Sequence, residues 1–102
     1  MNEPKLAVAV RFHSRLPYEE IVPVLEERLP QFRALKGLQQ KYYLQDPETG
    51  EYTGLYLWES AEDFAAYRES ELRASIAEAY QVEGEPKVQV LKVLKLLRDA
   101  TT

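Results

Sequence analysis

The sequence contains no cysteine, one histidine, one tryptophan and one methionine. Without cysteine there is no disulfide, no thiol nucleophile and no Cys-based zinc or iron–sulfur site. His13 alone cannot build a multi-histidine metal centre. No GxGxxG or Walker loop, nucleophile elbow or zincin helix is present. Ser14, Ser60, Ser70 and Ser75 lack the His/Asp partnership that nucleophilic catalysis needs. No apolar run approaches the ~20 residues of a membrane span. The acidic start Met1-Asn2-Glu3 does not resemble the basic opening of a secretory signal. A cytoplasmic protein without bound metal, haem or flavin is the expectation.

What is present is globular in kind. The chain has 102 residues, 45% hydrophobic and 29% charged, which fits a single domain over 1–102 with an ordered core of about 5–96. A formal net charge of -4 repels phosphate backbones, so nucleic acid is not an expected ligand.

Residues 5–12 alternate with a period of two and predict a strand, with Leu6, Val8, Val10 and Phe12 on one face and Ala7, Ala9, Arg11 and His13 on the other. From Tyr18 to Leu35 apolar residues recur at helical spacing, interrupted by Pro23 and by Pro30, which is expected to end the regular helix. Two strand-like runs, 38–45 and 52–59, flank Asp46-Pro47-Glu48-Thr49-Gly50-Glu51, a hairpin turn. Asp46 opposite Glu51 sets Tyr43 against Gly54 and Lys41 against Tyr56. Leu38, Tyr42, Leu44, Leu55 and Leu57 then share one face, and Gln39, Lys41, Tyr43, Tyr56 and Trp58 the other. Ser60 caps a second helix carrying Phe64 and Tyr67, with a further piece beginning near Ser70. Gly84 and Pro86 break the chain before a last strand, 87–96, and residues 97–102 read as a frayed tail.

The order is βαββαβ, an α+β ferredoxin-like pattern with a four-stranded antiparallel sheet and helices on one face. The face left free is expected to carry Ala7, Ala9, Tyr43, Tyr56, Trp58, Leu91 and Val93. It is too apolar to stay wet, so a homodimer through that face is expected.

Candidate chemistry centres on Arg11, His13, Lys41, Tyr56, Trp58 and Tyr67. An imidazole among cations and aromatics suits proton transfer, and the aromatics suit a flat ligand. The acidic pairs Glu19-Glu20, Glu26-Glu27 and Glu62-Asp63 read as solvated helix faces.

Gly37-Leu38-Gln39-Gln40-Lys41, Asp46-Pro47-Glu48-Thr49, and Gly54-Leu55-Tyr56-Leu57-Trp58-Glu59-Ser60 followed by Ala66-Tyr67 resemble the YdhR-like monooxygenase family. That family lies within the dimeric α/β-barrel superfamily, which also holds the antibiotic-biosynthesis monooxygenases. The resemblance implies a homodimer whose sheets face one another, with a small pocket between sheet and helices in each protomer. It also implies oxidation of phenolic or quinone-like compounds by oxygen without metal or flavin. Haem-degrading relatives use a first-strand Asn, a helix Trp and a following His. Here the helix aromatic is Tyr67, the strand has no Asn and no His follows, so haem degradation is not implied. The expected function is a cofactor-independent monooxygenase acting on a small aromatic or quinone-type compound. The alternatives are a non-catalytic dimeric binding protein for a small apolar molecule and a bare structural dimer.

Overall fold

The computed structural model describes residues 3–98. In chain order these form β1 (Leu6–Ser14), α1 (Tyr18–Arg33), β2 (Leu38–Gln45), β3 (Tyr52–Trp58), α2 (Ala61–Arg68), α3 (Glu71–Ala74), α4 (Ile76–Ala79) and β4 (Val82–Lys92). The strands make one antiparallel sheet in the order β2-β3-β1-β4. With the helices on one face, this is the ferredoxin-like α+β fold that the element order implies. Residues 99–102 of the expected tail lie outside the described residues.

Local chemistry builds the hairpin. Asp46 accepts hydrogen bonds from the backbone N–H groups of Glu48 (2.8 Å) and Thr49 (3.3 Å), which bends the chain into an Asx turn. Those two donors hold the exposed carboxyl below its ordinary value. The Asp46 N–H then donates to the Glu51 carbonyl at 2.8 Å, and Tyr43 stands opposite Gly54 and Lys41 opposite Tyr56, in the expected register. Ser60 caps α2 by accepting from the Asp63 N–H at 3.1 Å while donating to the Asp63 carboxylate at 2.9 Å. Ser70 caps α3 by accepting from the Arg73 N–H in the same way.

Four expectations fail for identifiable reasons. Pro30 does not end α1, which runs 16 residues to Arg33. A proline removes one N–H bond and crowds the carbonyl four residues back, but it leaves its own carbonyl free. The Ala34 N–H uses that carbonyl at 3.2 Å, and Phe32, only 3% exposed, anchors the turn in the core. Gly84 and Pro86 do not precede β4 but lie inside it, where the pairing with β1 shifts between Arg11 and His13. Gly84 adopts φ +67° there, a conformation that suits a bulge. A second irregularity between Leu38 and Gln40 sets Leu38 opposite Trp58, so Leu38 joins the core face and not the Tyr42 face.

The largest correction concerns the faces of the sheet. Directly paired residues of antiparallel strands share a face. Leu6, Val8 and Val10 pair with Trp58, Tyr56 and Gly54, and Val8, Tyr56 and Trp58 are buried in the core against the helices. Tyr43, Tyr56 and Trp58 therefore belong to the covered face. The outer face carries Ala7, Ala9 and Arg11 on β1, Leu55 and Leu57 on β3, Tyr42 and Leu44 on β2, and Leu91 on β4. Alternation tells which residues share a side; it is silent on which side the helices take.

Candidate functional site

Between α1 and the covered face of the sheet lies a cavity of about 150 Å3. Val10, Ile21 and Leu25 give it apolar walls, while Lys41, Tyr43 and Tyr56 bring polar atoms. Exposed Tyr18 and Val22 rim it on the helix side. A space of this size accommodates about one benzene ring.

Gly54 makes the floor possible. A Cβ there would come 3.1 Å from the Tyr56 ring and 3.4 Å from Cε of Lys41. Its absence spares the Tyr56 ring a close contact.

The Lys41 ammonium nitrogen ends among three rings. It lies 3.6 Å from the centroid of Phe32, and 4.4 Å from those of Tyr43 and Tyr56. No carboxylate among the described residues pairs with it. Burial, followed by the nearby positive charge of Arg28, lowers its pKa from the ordinary lysine value to about 7. The ring faces favour the cation, but they replace only part of the lost hydration. Lys41 thus exchanges a proton near neutrality.

The tyrosines around it behave oppositely. Burial, reinforced by Tyr80 and Tyr67 and opposed by Arg28 and Arg33, pushes Tyr43 up to about 12. Tyr56 is raised further, by burial and then by Tyr67, with which its hydroxyl shares a hydrogen bond of 3.3 Å. Tyr80 and Tyr52 are also raised by burial. At neutral pH these hydroxyls are un-ionised and available to donate. A lysine on the edge of ionisation, set among neutral phenols in an apolar cavity, suits a ligand that carries an acidic oxygen.

Arg28 is the residue that sequence reasoning missed. Its guanidinium donates to Ser75 Oγ at 2.8 Å and to the Leu72 carbonyl at 3.4 Å, tying α1 to α3 and the segment after it. It also lies 5.9 Å from the Phe32 centroid. The i, i+4 spacing of Arg28 and Phe32 on one helix was the available signal.

Of the expected site residues, Lys41 and Tyr56 meet at this cavity. Tyr67 stands behind Tyr56 and borders a second space of about 70 Å3 together with Arg68, Arg73 and Val88. Trp58 does not reach a ligand-accessible position. It is 1% exposed and packed against Tyr56, Tyr67 and Phe64. Arg11 and His13 do not join Lys41 either, because alternation on β1 sends them away from the face of Val10. Arg11 reaches Gln89 at 3.5 Å on the outer face. His13 is more than half exposed, with its Nε2 3.9 Å from a Glu51 carboxylate oxygen.

Among the described residues no three His, Asp or Glu side chains gather as a metal site requires, and no helix is long and apolar enough to cross a membrane.

The architecture is shared with known structures. Over 97% of this chain and 98% of its own, NE2512 from Nitrosomonas europaea, a protein of unknown function, matches with a TM-score of 0.77 at 17% identity. SnoaB from Streptomyces nogalater, a cofactor-independent oxygenase, matches with a TM-score of 0.74 at 13% identity, covering 94% of this chain and 99% of its own. A candidate antibiotic biosynthesis monooxygenase from Bordetella bronchiseptica matches with a TM-score of 0.74 at 14% identity, over 91% of this chain and all of its own. The chain has the antibiotic-biosynthesis-monooxygenase-like fold. No protein-family model matches the sequence, and no curated protein matches it.

Proposed function

We propose that the protein is a cofactor-independent oxygenase acting on a single-ring phenol or hydroquinone in the α1–sheet cavity, and that it works as a homodimer. The observation that carries this reading is the Lys41 amine in the cavity lining between the rings of Tyr43 and Tyr56, where burial lowers its pKa to about 7. The fold shared with SnoaB supports it, as does the resemblance of the hairpin to YdhR-like monooxygenases.

In the reaction, the neutral Lys41 amine takes the phenolic proton, and the ammonium so formed stays beside the phenolate. A phenol has a pKa near 10, so the transfer spans about three pKa units, roughly 4 kcal/mol. An ion pair about 4 Å apart recovers on the order of 4 kcal/mol at an effective dielectric of about 20. The ion pair offsets the transfer cost, while burial, which raises the cavity's own tyrosines, opposes the transfer. The phenolate is electron-rich and passes electrons to oxygen. One oxygen atom enters the ring and the other leaves as water: phenol plus O2 gives p-benzoquinone plus water. Neutral Tyr43, in the cavity lining, supplies a hydroxyl that can donate a hydrogen bond to a ligand oxygen.

The dimer reading rests on the outer sheet face. Tyr42, Leu44 and Leu91 are each close to half exposed there, beside the partly buried Leu55 and Leu57, and no helix covers them. The deciding experiment follows oxygen uptake with a panel of phenols and hydroquinones, with ligand binding measured in parallel. Turnover that scales with protein and is lost in Lys41→Met supports the oxygenase. Binding without uptake overturns it in favour of a non-catalytic binding protein.

A further inference from the structure

The amine that serves as a base in the proposed oxygenation has a second chemistry open to it. At the cavity wall it has no carboxylate partner among the described residues, and a second cation, Arg28, lies near it. A lysine desolvated in an apolar pocket beside another positive charge is the arrangement that turns an amine into a nucleophile. We infer that Lys41 forms an imine with a single-ring aromatic aldehyde bound in the α1–sheet cavity.

Three observations carry this assignment. The cavity volume of about 150 Å3 selects one ring. Tyr43 and Tyr56, whose ring faces lie beside the nitrogen, also line the cavity, which suits a flat aromatic partner. A proton donor lines the cavity for the oxygen that must leave: the hydroxyl of Tyr43 stays un-ionised at neutral pH. The step balances without a co-reactant. The Nζ lone pair attacks the carbonyl carbon, forming a C–N bond as the carbonyl π bond opens. The resulting carbinolamine loses its hydroxyl and one nitrogen-bound proton as water, and the C=N bond forms. Hydrolysis reverses the sequence.

The titratable and charged groups in the surroundings of Lys41 come from each element around it. They are Arg28 on α1, Tyr43 on β2, Tyr56 on β3, Tyr67 on α2 and Tyr80 after α4, with Tyr18 and Tyr52 elsewhere in the wall. Of these Arg28 favours the neutral amine, the un-ionised tyrosines carry no charge, and the ring faces of Tyr43 and Tyr56 favour the cation.

The test uses the intact wild-type protein, benzaldehyde and sodium cyanoborohydride at pH 7 under nitrogen, with adducts located by peptide mass mapping. At that pH an amine titrating near 7 is about half neutral, against roughly 1 part in 3,000 for an ordinary lysine. Labelling at Lys41 is therefore expected to run at least ten-fold faster than at exposed Lys5, Lys36, Lys87, Lys92 or Lys95. Its rate should rise as pH passes through about 7, and 4-methylphenol should slow it at Lys41 alone. Adducts spread over the exposed lysines, with Lys41 no faster than they are, would overturn the inference. Because oxygen is excluded, a failed oxygenase assay and a failed labelling experiment remain distinct results.

Discussion

The nitrogen of Lys41 on β2 lies 3.6 Å from the centre of the Phe32 ring on α1. That contact joins the strand to the last turn of a helix that continues past Pro30. The persistence of α1 to Arg33 is needed for it.

Replacing Lys41 by methionine separates chemistry from stability. The stem volume is kept while the amine is lost, so oxygen uptake should fall about 10²- to 10⁴-fold, the range for a missing general base. Exchanging a buried charge for an apolar chain is commonly neutral or stabilising. The melting temperature of Lys41→Met should equal or exceed the parent's, measured by circular dichroism alongside the uptake assay.

Stability should climb with pH from about 7 to about 10 and fall above it. Lys41 has a folded pKa of about 7, well below its ordinary value. Through that window the unfolded chain holds the extra proton, so rising pH favours the fold, by about 1 kcal/mol per pH unit. Tyr43 and Tyr56 act in reverse. Their folded pKa values are raised, so their contribution is complete below about 10 and is lost as pH climbs toward 12 and beyond. Urea midpoints at pH 6, 8, 10 and 11 should trace this dome, and Lys41→Met should flatten its lower limb only.

Two glycines with the same backbone angle should respond differently to alanine. Gly37 and Gly50 both have φ +80°. A Cβ at Gly50 meets nothing within 4 Å, whereas at Gly37 it falls 2.1 Å from a carboxylate oxygen of Asp63. That carboxylate accepts from the Ser60 hydroxyl at the start of α2. Gly50→Ala should cost about 1 kcal/mol for the left-handed backbone. Gly37→Ala should cost about 2–3 kcal/mol, adding the disrupted cap. Chemical denaturation of the two variants measures the gap.

Trp58→Phe should lower stability by about 1–3 kcal/mol and leave ligand affinity within about two-fold. The indole lies almost parallel to Tyr56, at an interplanar angle of 4°, on the side away from the cavity lining. Being 1% exposed, it should emit at short wavelength and resist iodide quenching. Ready quenching would place Trp58 at the surface.

A double variant, Tyr42→Glu with Leu91→Glu, should convert a dimer to a monomer. The two positions belong to the outer face, on β2 and β4, and a carboxylate there must be desolvated on association. Light scattering should read twice the 11.8 kDa chain for the parent and one chain for the variant.

Much of the fold was already legible in the order of residues, wherever the controlling interaction spans a few positions. The Asp46–Glu51 turn sets the hairpin register through its own side chain and backbone, and Ser60 and Ser70 mark their helices because capping acts over three residues. Lys41 and Tyr56 could be named as neighbours for the same reason, since register alone pairs them. Tertiary packing decided the rest. Both parities of β1 and β3 are apolar, so alternation could not say whether Trp58 or Leu57 would meet the helices. That choice came from the fit of Phe32, Phe64 and Tyr67 over Tyr56 and Trp58, and it moved Arg11 and His13 away from the cavity. The bulges at Leu38–Gln40 and Gly84–Pro86 arise between strands distant in sequence or at a strand end, where no local signal sets the pairing. The lowered pKa of Lys41 also belongs to the tertiary structure. A lysine in sequence is only a cation, and it becomes a candidate base when three rings and a nearby arginine take the place of its water.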